Sequence, residues 1–87
     1  MGTAYYPTQT VETINIGTTS LTNPLALLVV NGVVYPNGFR VNYDRGYRLF
    51  SPTIDANNNV AIVCVALAYG QDLGAYSLSG VEVLLIG

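Results

Sequence analysis

The hydrophobic and polar positions along this chain follow the two-residue period of β-strands, and no segment has the pattern of a helix. The alternation is clearest over residues 39–44, where Phe39, Val41 and Tyr43 are separated by polar residues, as in a half-buried strand. Glycine, proline and asparagine interrupt the chain about every eight to twelve residues. This spacing is typical of a sandwich, barrel or meander of short strands.

The pattern predicts seven strands, one of them central. The run from Val60 to Tyr69 is apolar at nearly every position, which indicates a strand buried on both faces in the interior of a sheet. The final run, Val81 to Ile86, is predicted either to close the sheet or to add a strand to the sheet of a neighbouring molecule. The predicted strands cover residues 10–16, 25–30, 33–35, 39–44, 47–50, 60–69 and 81–86.

Turn residues connect these strands. Asn31-Gly32 is the pair that a type I′ hairpin turn requires, because both residues tolerate a positive φ. Residues 36–38 and 44–46 are predicted to form two further hairpin turns, Pro52 to interrupt the pairing, and residues 70–80 to form a loop. The predicted core residues are Val41, Leu49, Ile62, Cys64, Val65 and Val83.

The whole chain, residues 1–87, is therefore predicted to be one all-β domain, a small antiparallel sandwich or barrel-like meander. Residues 1–9 combine polar and turn-forming residues with two adjacent tyrosines, Tyr5 and Tyr6. We expect them to form an extended N-terminal arm. Tyr5, Tyr6 and Pro7 are interface candidates, since an arm outside the first strand has little of its own fold to pack against.

The composition indicates that other protein covers part of this surface. Charged residues make up 9% of the chain, against about 25% in an ordinary soluble domain. There is no lysine, the residue that most often protects sheet edges from pairing. Apolar residues reach 51%, but the longest apolar run has ten residues, too few for a membrane-spanning helix. A net charge of −2 with three arginines does not favour nucleic acid as a partner.

The residue types needed for catalysis are scarce. The absence of histidine and lysine removes the commonest general bases, so we expect no enzyme activity and no cofactor or metal. Cys64, the single cysteine, lies between valines and is interpreted as a core residue rather than a nucleophile or metal ligand. Residues 55–59 resemble an oxygen-rich calcium loop, but without its glycine and glutamate they are interpreted as a polar turn.

The positive charge is concentrated in one predicted hairpin. Arg40, Arg45 and Arg48 lie within nine residues, with Tyr47 beside them. One interpretation is a docking patch for an acidic partner, because guanidinium groups bind interface carboxylates well. The other is a solvated hairpin with a local ion pair to Asp44. The seven tyrosines leave three interpretations open: glycan binding, a protein interface and sheet packing.

Three segments resemble a known class of protein. Residues 28–35 (LVVNGVVY), followed by 39–43 (FRVNY) and 47–50 (YRLF), are similar to strand–Asn-Gly–strand units in small virion proteins of tailed bacteriophages. In size the chain most resembles capsid decoration (cement) proteins, and the likeness covers residues 25 to 69. It implies a virion protein made in the host cytoplasm, a homotrimer ahead of a dimer, bound to the major capsid protein or another virion protein.

The expected function is therefore structural: a non-enzymatic cement protein that binds across capsid subunits and stabilises the shell. The alternative is a tail-fibre or adhesin module that binds carbohydrate. A third interpretation is a small inhibitor or regulatory module.

Overall fold

The residues that the structure describes form seven strands in two antiparallel sheets. The computed structural model describes residues 7–70, 73, 76 and 78–87, and these contain no helix. The all-β prediction is confirmed, and the two sheets form an open sandwich rather than a closed barrel. The strands are β1 (Pro7–Thr18), β2 (Leu25–Val30), β3 (Val33–Tyr35), β4 (Phe39–Tyr43), β5 (Gly46–Ile54), β6 (Asn59–Tyr69) and β7 (Val81–Ile86).

The larger sheet has the strand order β1-β6-β5-β4. β6 lies between β1 and β5 and pairs with each along most of its length, so the prediction of a central strand is confirmed. β4 and β5 form a hairpin in which Tyr43 pairs with Gly46. This sheet is therefore built around the strand whose sequence is apolar on both faces.

The smaller sheet has the order β3-β2-β7. Asn31 and Gly32 connect β2 to β3 with φ values of 49° and 83°, which is the type I′ geometry that the pair predicts. β7 pairs with β2 from Leu25–Ile86 to Val30–Val81. It thus forms one edge of this sheet, opposite β3.

The connection from β3 to β4 corrects the prediction of three successive hairpins. β3 belongs to the smaller sheet and β4 to the larger one, so residues 36–38 cross between sheets. Gly38, with φ at 93°, lies against β5, and a Cβ there would come 2.7 Å from the Phe50 carbonyl oxygen. The rings of Tyr35 and Phe39 pack edge to face across this corner, with centroids 4.9 Å apart.

The first strand starts earlier than predicted. Pro7 already pairs with Tyr69, and Gln9 pairs with Leu67, so the arm does not include residues 7–9. These polar residues extend the strand because β6 offers a long ladder of backbone groups, and proline is tolerated at the first position of an edge strand. The rest of the arm, including Tyr5 and Tyr6, lies outside the described residues.

Pro52 does not end its strand, contrary to the prediction. β5 continues to Ile54, with Pro52 opposite Ile62 of β6. The ladder with β4 ends at the Phe39–Phe50 pair, so beyond that pair β5 has a strand partner on one side only. A proline is accommodated there because its missing N–H costs no hydrogen bond on the unpaired side.

The core lies between the facing sides of the two sheets. Leu28 and Val30 of β2 pack against Phe50 of β5 and Ile62 and Cys64 of β6. Leu28 and Ile62 are completely buried. Of the predicted core residues, Ile62 and Cys64 are confirmed as buried, and Val41 and Val83 are partly buried against this cluster.

Val65 and Leu49 are corrections to the predicted core. They are paired with each other, next to the inward-facing Phe50–Cys64 pair. Because neighbouring residues in a strand point to opposite faces, both side chains lie on the outer face of the larger sheet. Each is only partly buried.

Candidate interaction surfaces

The predicted arginine patch is divided between the two faces of the larger sheet. Arg40 pairs with Leu49, whereas Arg48 pairs with Val41, so the two arginines point in opposite directions. Arg45 is exposed in the turn between β4 and β5. The expectation that Arg40 and Arg48 share one surface is therefore wrong.

Arg40 and Tyr47 do come together on the outer face. The Arg40 guanidinium carbon lies 3.9 Å from the centre of the Tyr47 ring, and its Nε–H donates a hydrogen bond of 2.8 Å to the Asn42 side chain. A guanidinium stacked on an aromatic ring in this way keeps a defined orientation. This pair remains an interface candidate.

Arg48 is buried, with 6% of its surface exposed. Its Nη1 donates a hydrogen bond of 2.8 Å to the Tyr43 hydroxyl. Its guanidinium carbon also lies 4.9 Å from the centre of the Tyr76 ring and 5.4 Å from that of Tyr43. The ring contacts and the hydrogen bond offset the cost of removing the guanidinium from water. Arg48 therefore has a structural role within the sandwich.

Tyr76, which is partly buried, connects Arg48 to the exposed Glu12. Its hydroxyl donates a hydrogen bond to a Glu12 carboxylate oxygen, and its ring packs edge to face on Phe50, 5.7 Å between centroids. The bond to Glu12, followed by burial, raises the pKa of Tyr76. No alternation of apolar and polar residues marks Tyr76 in the sequence, because it follows a glycine-rich segment rather than a strand.

Two other residues that could react or bind a metal, Cys64 and Asp55, have structural explanations. Cys64 is 2% exposed, and burial raises the pKa of its thiol, which lowers the fraction of reactive thiolate. Asp55 accepts hydrogen bonds from the backbone N–H groups of Asn57 and Asn59 and from the Asn59 side chain. Both carboxylate oxygens therefore serve the turn, as the polar-turn interpretation expects. Among the described residues, no group of three His, Cys, Asp or Glu side chains is placed to hold a metal ion.

A cavity of about 330 Å³ lies at one end of the sandwich. Four aromatic rings and three valine side chains line it, and two small polar side chains add hydrogen-bonding groups. Such a combination suits a ligand with both apolar and polar faces. The aromatic lining residues are Phe39, Tyr43, Phe50 and Tyr76, and the polar ones are Asn31 and Ser79.

The outward side of the smaller sheet is an exposed apolar surface. Leu25, Val34, Leu84 and Ile86 are 58%, 44%, 45% and 49% exposed. The registers place them on one side of the sheet with Leu27, Val29 and a single charge, Glu82. We call the six apolar side chains the outer apolar face: Leu25, Leu27, Val29, Val34, Leu84 and Ile86.

The outer side of the larger sheet is more mixed. Val11 is 59% exposed there, and Val63 and Val65 lie beside it, but threonine, asparagine and Arg40 interrupt the apolar residues. The outer apolar face of the smaller sheet is therefore the stronger candidate for contact with another protein.

Comparisons with family models, with curated proteins and with solved structures find no match to this chain. In the part of the chain that the structure describes, no helix has the length and hydropathy needed to cross a membrane.

Proposed function

We propose that this chain is a non-enzymatic structural protein of a viral particle, a cement or decoration protein that binds across capsid subunits and stabilises the shell. The observation that carries the proposal is the outer apolar face, which has one charge among its neighbours and no described element covering it. Contiguous exposed apolar surface on a small protein marks a contact with other protein. The resemblance to capsid decoration proteins supplies the kind of partner.

The outer apolar face is the size of a partial interface. Two strands of six residues and one of three, about 4.8 Å apart, cover roughly 240 Å². A stable complex buries about 800 Å² on each partner. One copy docked through this face alone would bind weakly, so a shell gains stability only when several contacts act together. The stacked Arg40–Tyr47 pair offers a second contact on the opposite side of the sandwich.

The test uses empty shells of the virus that encodes the chain. We expect the purified protein to co-sediment with these shells and to raise the temperature at which they rupture. Val34→Asp places a charge on the outer apolar face and should abolish both effects. Val11→Asp is the matched control, because it makes the same change at an exposed valine of the larger sheet and should leave both effects intact.

Two results would count against the proposal. One is wild-type protein that does not bind shells at micromolar concentration. The other is a Val34→Asp variant that binds them as well as the wild-type protein does. Circular dichroism of both variants shows whether the β-sheet fold is retained.

A second candidate function is carbohydrate binding, favoured by the cavity lined with Tyr43 and Tyr76. Aromatic rings that stand beside Asn31 and Ser79 offer both stacking and hydrogen bonds to a sugar. A glycan array tests this candidate directly. A hit should shift the NMR amide signals of Asn31 and Ser79 and leave the distant turn at Asp55 unchanged. Binding without those shifts would place the sugar elsewhere and contradict this assignment.

A further inference from the structure

Among the described strands, four lie at the edges of the two sheets, and three of these carry features that hinder pairing with another chain. β1 begins with Pro7, has a bulge between Asn15 and Gly17, and carries Glu12 on its inner side. β4 has only five residues and includes Arg40, and β3 has only three residues. Proline, bulges, charges and short length are the usual ways in which proteins protect an edge.

Of these features, β7 has only the charge on Glu82. It has six residues, Val81 to Ile86, with no proline, no lysine or arginine and no irregularity in its register. β2 pairs with one side of it, and no described strand pairs with the other. Along that free side, alternate residues present their N–H and C=O groups to any strand that approaches.

We propose that β7 of one copy pairs antiparallel with β7 of a second copy across a two-fold axis. The two smaller sheets then become one sheet of six strands, in the order β3-β2-β7-β7-β2-β3. Pairing one strand with itself in antiparallel fashion requires a two-fold axis. This contact therefore makes a dimer, whereas the resemblance to decoration proteins favours a trimer over a dimer.

The charge on Glu82 selects the register. The two-fold axis is perpendicular to the sheet and passes between one residue and the same residue of the second copy. Residues that lie opposite one another in an antiparallel pair have their side chains on the same face of the sheet. An axis at Val83 would leave the two Glu82 residues about 7 Å apart along the strands, whereas an axis at Leu84 separates them by about 14 Å. Since salt screens charges beyond about 8 Å, the axis lies at Leu84, with Glu82 opposite Ile86.

This dimer places both outer apolar faces on the same side of the joined sheet. The joined sheet presents roughly 480 Å², twice the area of one copy. That is more than half of the 800 Å² or so that each partner buries in a standard interface. The pairing itself is independent of what the face contacts, but the role of the enlarged face as the shell-binding surface rests on the proposed function.

A charge exchange at the axis tests the pairing. Leu84 is 45% exposed, so Leu84→Lys and Leu84→Glu should both fold, but each places two like charges opposite one another in the dimer. By analytical ultracentrifugation at micromolar concentration we expect twice the chain mass of 9.3 kDa for the wild-type protein and the chain mass for each variant alone. An equimolar mixture of the two variants should return to the dimer mass.

Leu25→Lys is the matched control, because Leu25 lies on the same outer apolar face but on β2, away from the axis. It should remain a dimer. A wild-type monomer or trimer, a mixture of the Leu84 variants that stays monomeric, or a Leu25→Lys monomer would overturn the pairing. A dimer that binds no shells would overturn the proposed function alone. Shell binding by monomeric Leu84→Lys would overturn the role of the dimer and also the role of the outer apolar face, because Leu84 belongs to that face.

Discussion

The two faces of the central strand β6 allow the two-sheet arrangement to be tested by a pair of truncations, Ile62→Ala on the inner face and Val65→Ala on the outer face. Ile62 is completely buried between the sheets, and truncation of such a side chain costs about 2–5 kcal/mol. Val65 lies on the outer face and is partly buried. Its two lost carbons are worth about 0.8 kcal/mol each when fully buried, so we expect a cost of about 1 kcal/mol.

Urea denaturation followed by circular dichroism measures both free energies of unfolding. The protein concentration must be the same for each variant, because self-association adds to apparent stability. For a chain of this size, 1 kcal/mol corresponds to about 4–8 °C in Tm, so Ile62→Ala should melt at least about 8 °C below the wild-type protein. Equal losses at the two positions would refute the assignment of Val65 to the outer face.

Three further outcomes are expected. Arg48→Met should lower the free energy of unfolding by about 1–3 kcal/mol in the same urea assay, because the partly buried Tyr43 hydroxyl loses its donor; an unchanged value would contradict a structural role for Arg48. The hydrogen bonds that Asp55 accepts from Asn59, above all the one from the Asn59 side chain, lower the pKa of Asp55 from its ordinary value. Its carboxylate therefore adds stability at neutral pH that is lost as the pH falls through the folded-state pKa. The Tm difference between wild type and Asp55→Asn should therefore shrink on acidification, and a difference independent of pH would argue against this linkage. The buried Cys64 thiol should react with a thiol reagent only after unfolding in urea; rapid labelling of the native protein would show that it is accessible.

Features set by a few neighbouring residues were predictable from the sequence. Asn31-Gly32 specifies its turn through the backbone freedom of two residues, and the hairpin has the expected geometry. The long apolar run of β6 needs cover on both faces and therefore a central position. In both cases the deciding physics is contained in the segment itself.

Features that depend on distant parts of the chain were not predictable. The turn at Gly38 resembles a hairpin, and only its packing against β5 makes it a crossing between sheets. Arg48 has the sequence pattern of an exposed strand residue, but Tyr76, 28 positions later, covers it. The patch of arginines was therefore predicted from proximity in sequence, whereas the strand register separates its members. The interface role of Tyr5 and Tyr6 stays a prediction.

The order of strands in the two sheets has a consequence for the speed of folding. The hairpins β2–β3 and β4–β5 join neighbouring segments, but β1 pairs with β6 and β2 with β7, each across about fifty residues of chain. Closing such long loops costs entropy before any contact compensates for it. We expect refolding on the millisecond-to-second scale typical of non-local β-proteins. Until β1 and β7 join, the apolar strands β6 and β2 are open along one side, so refolding yield should fall as protein concentration rises.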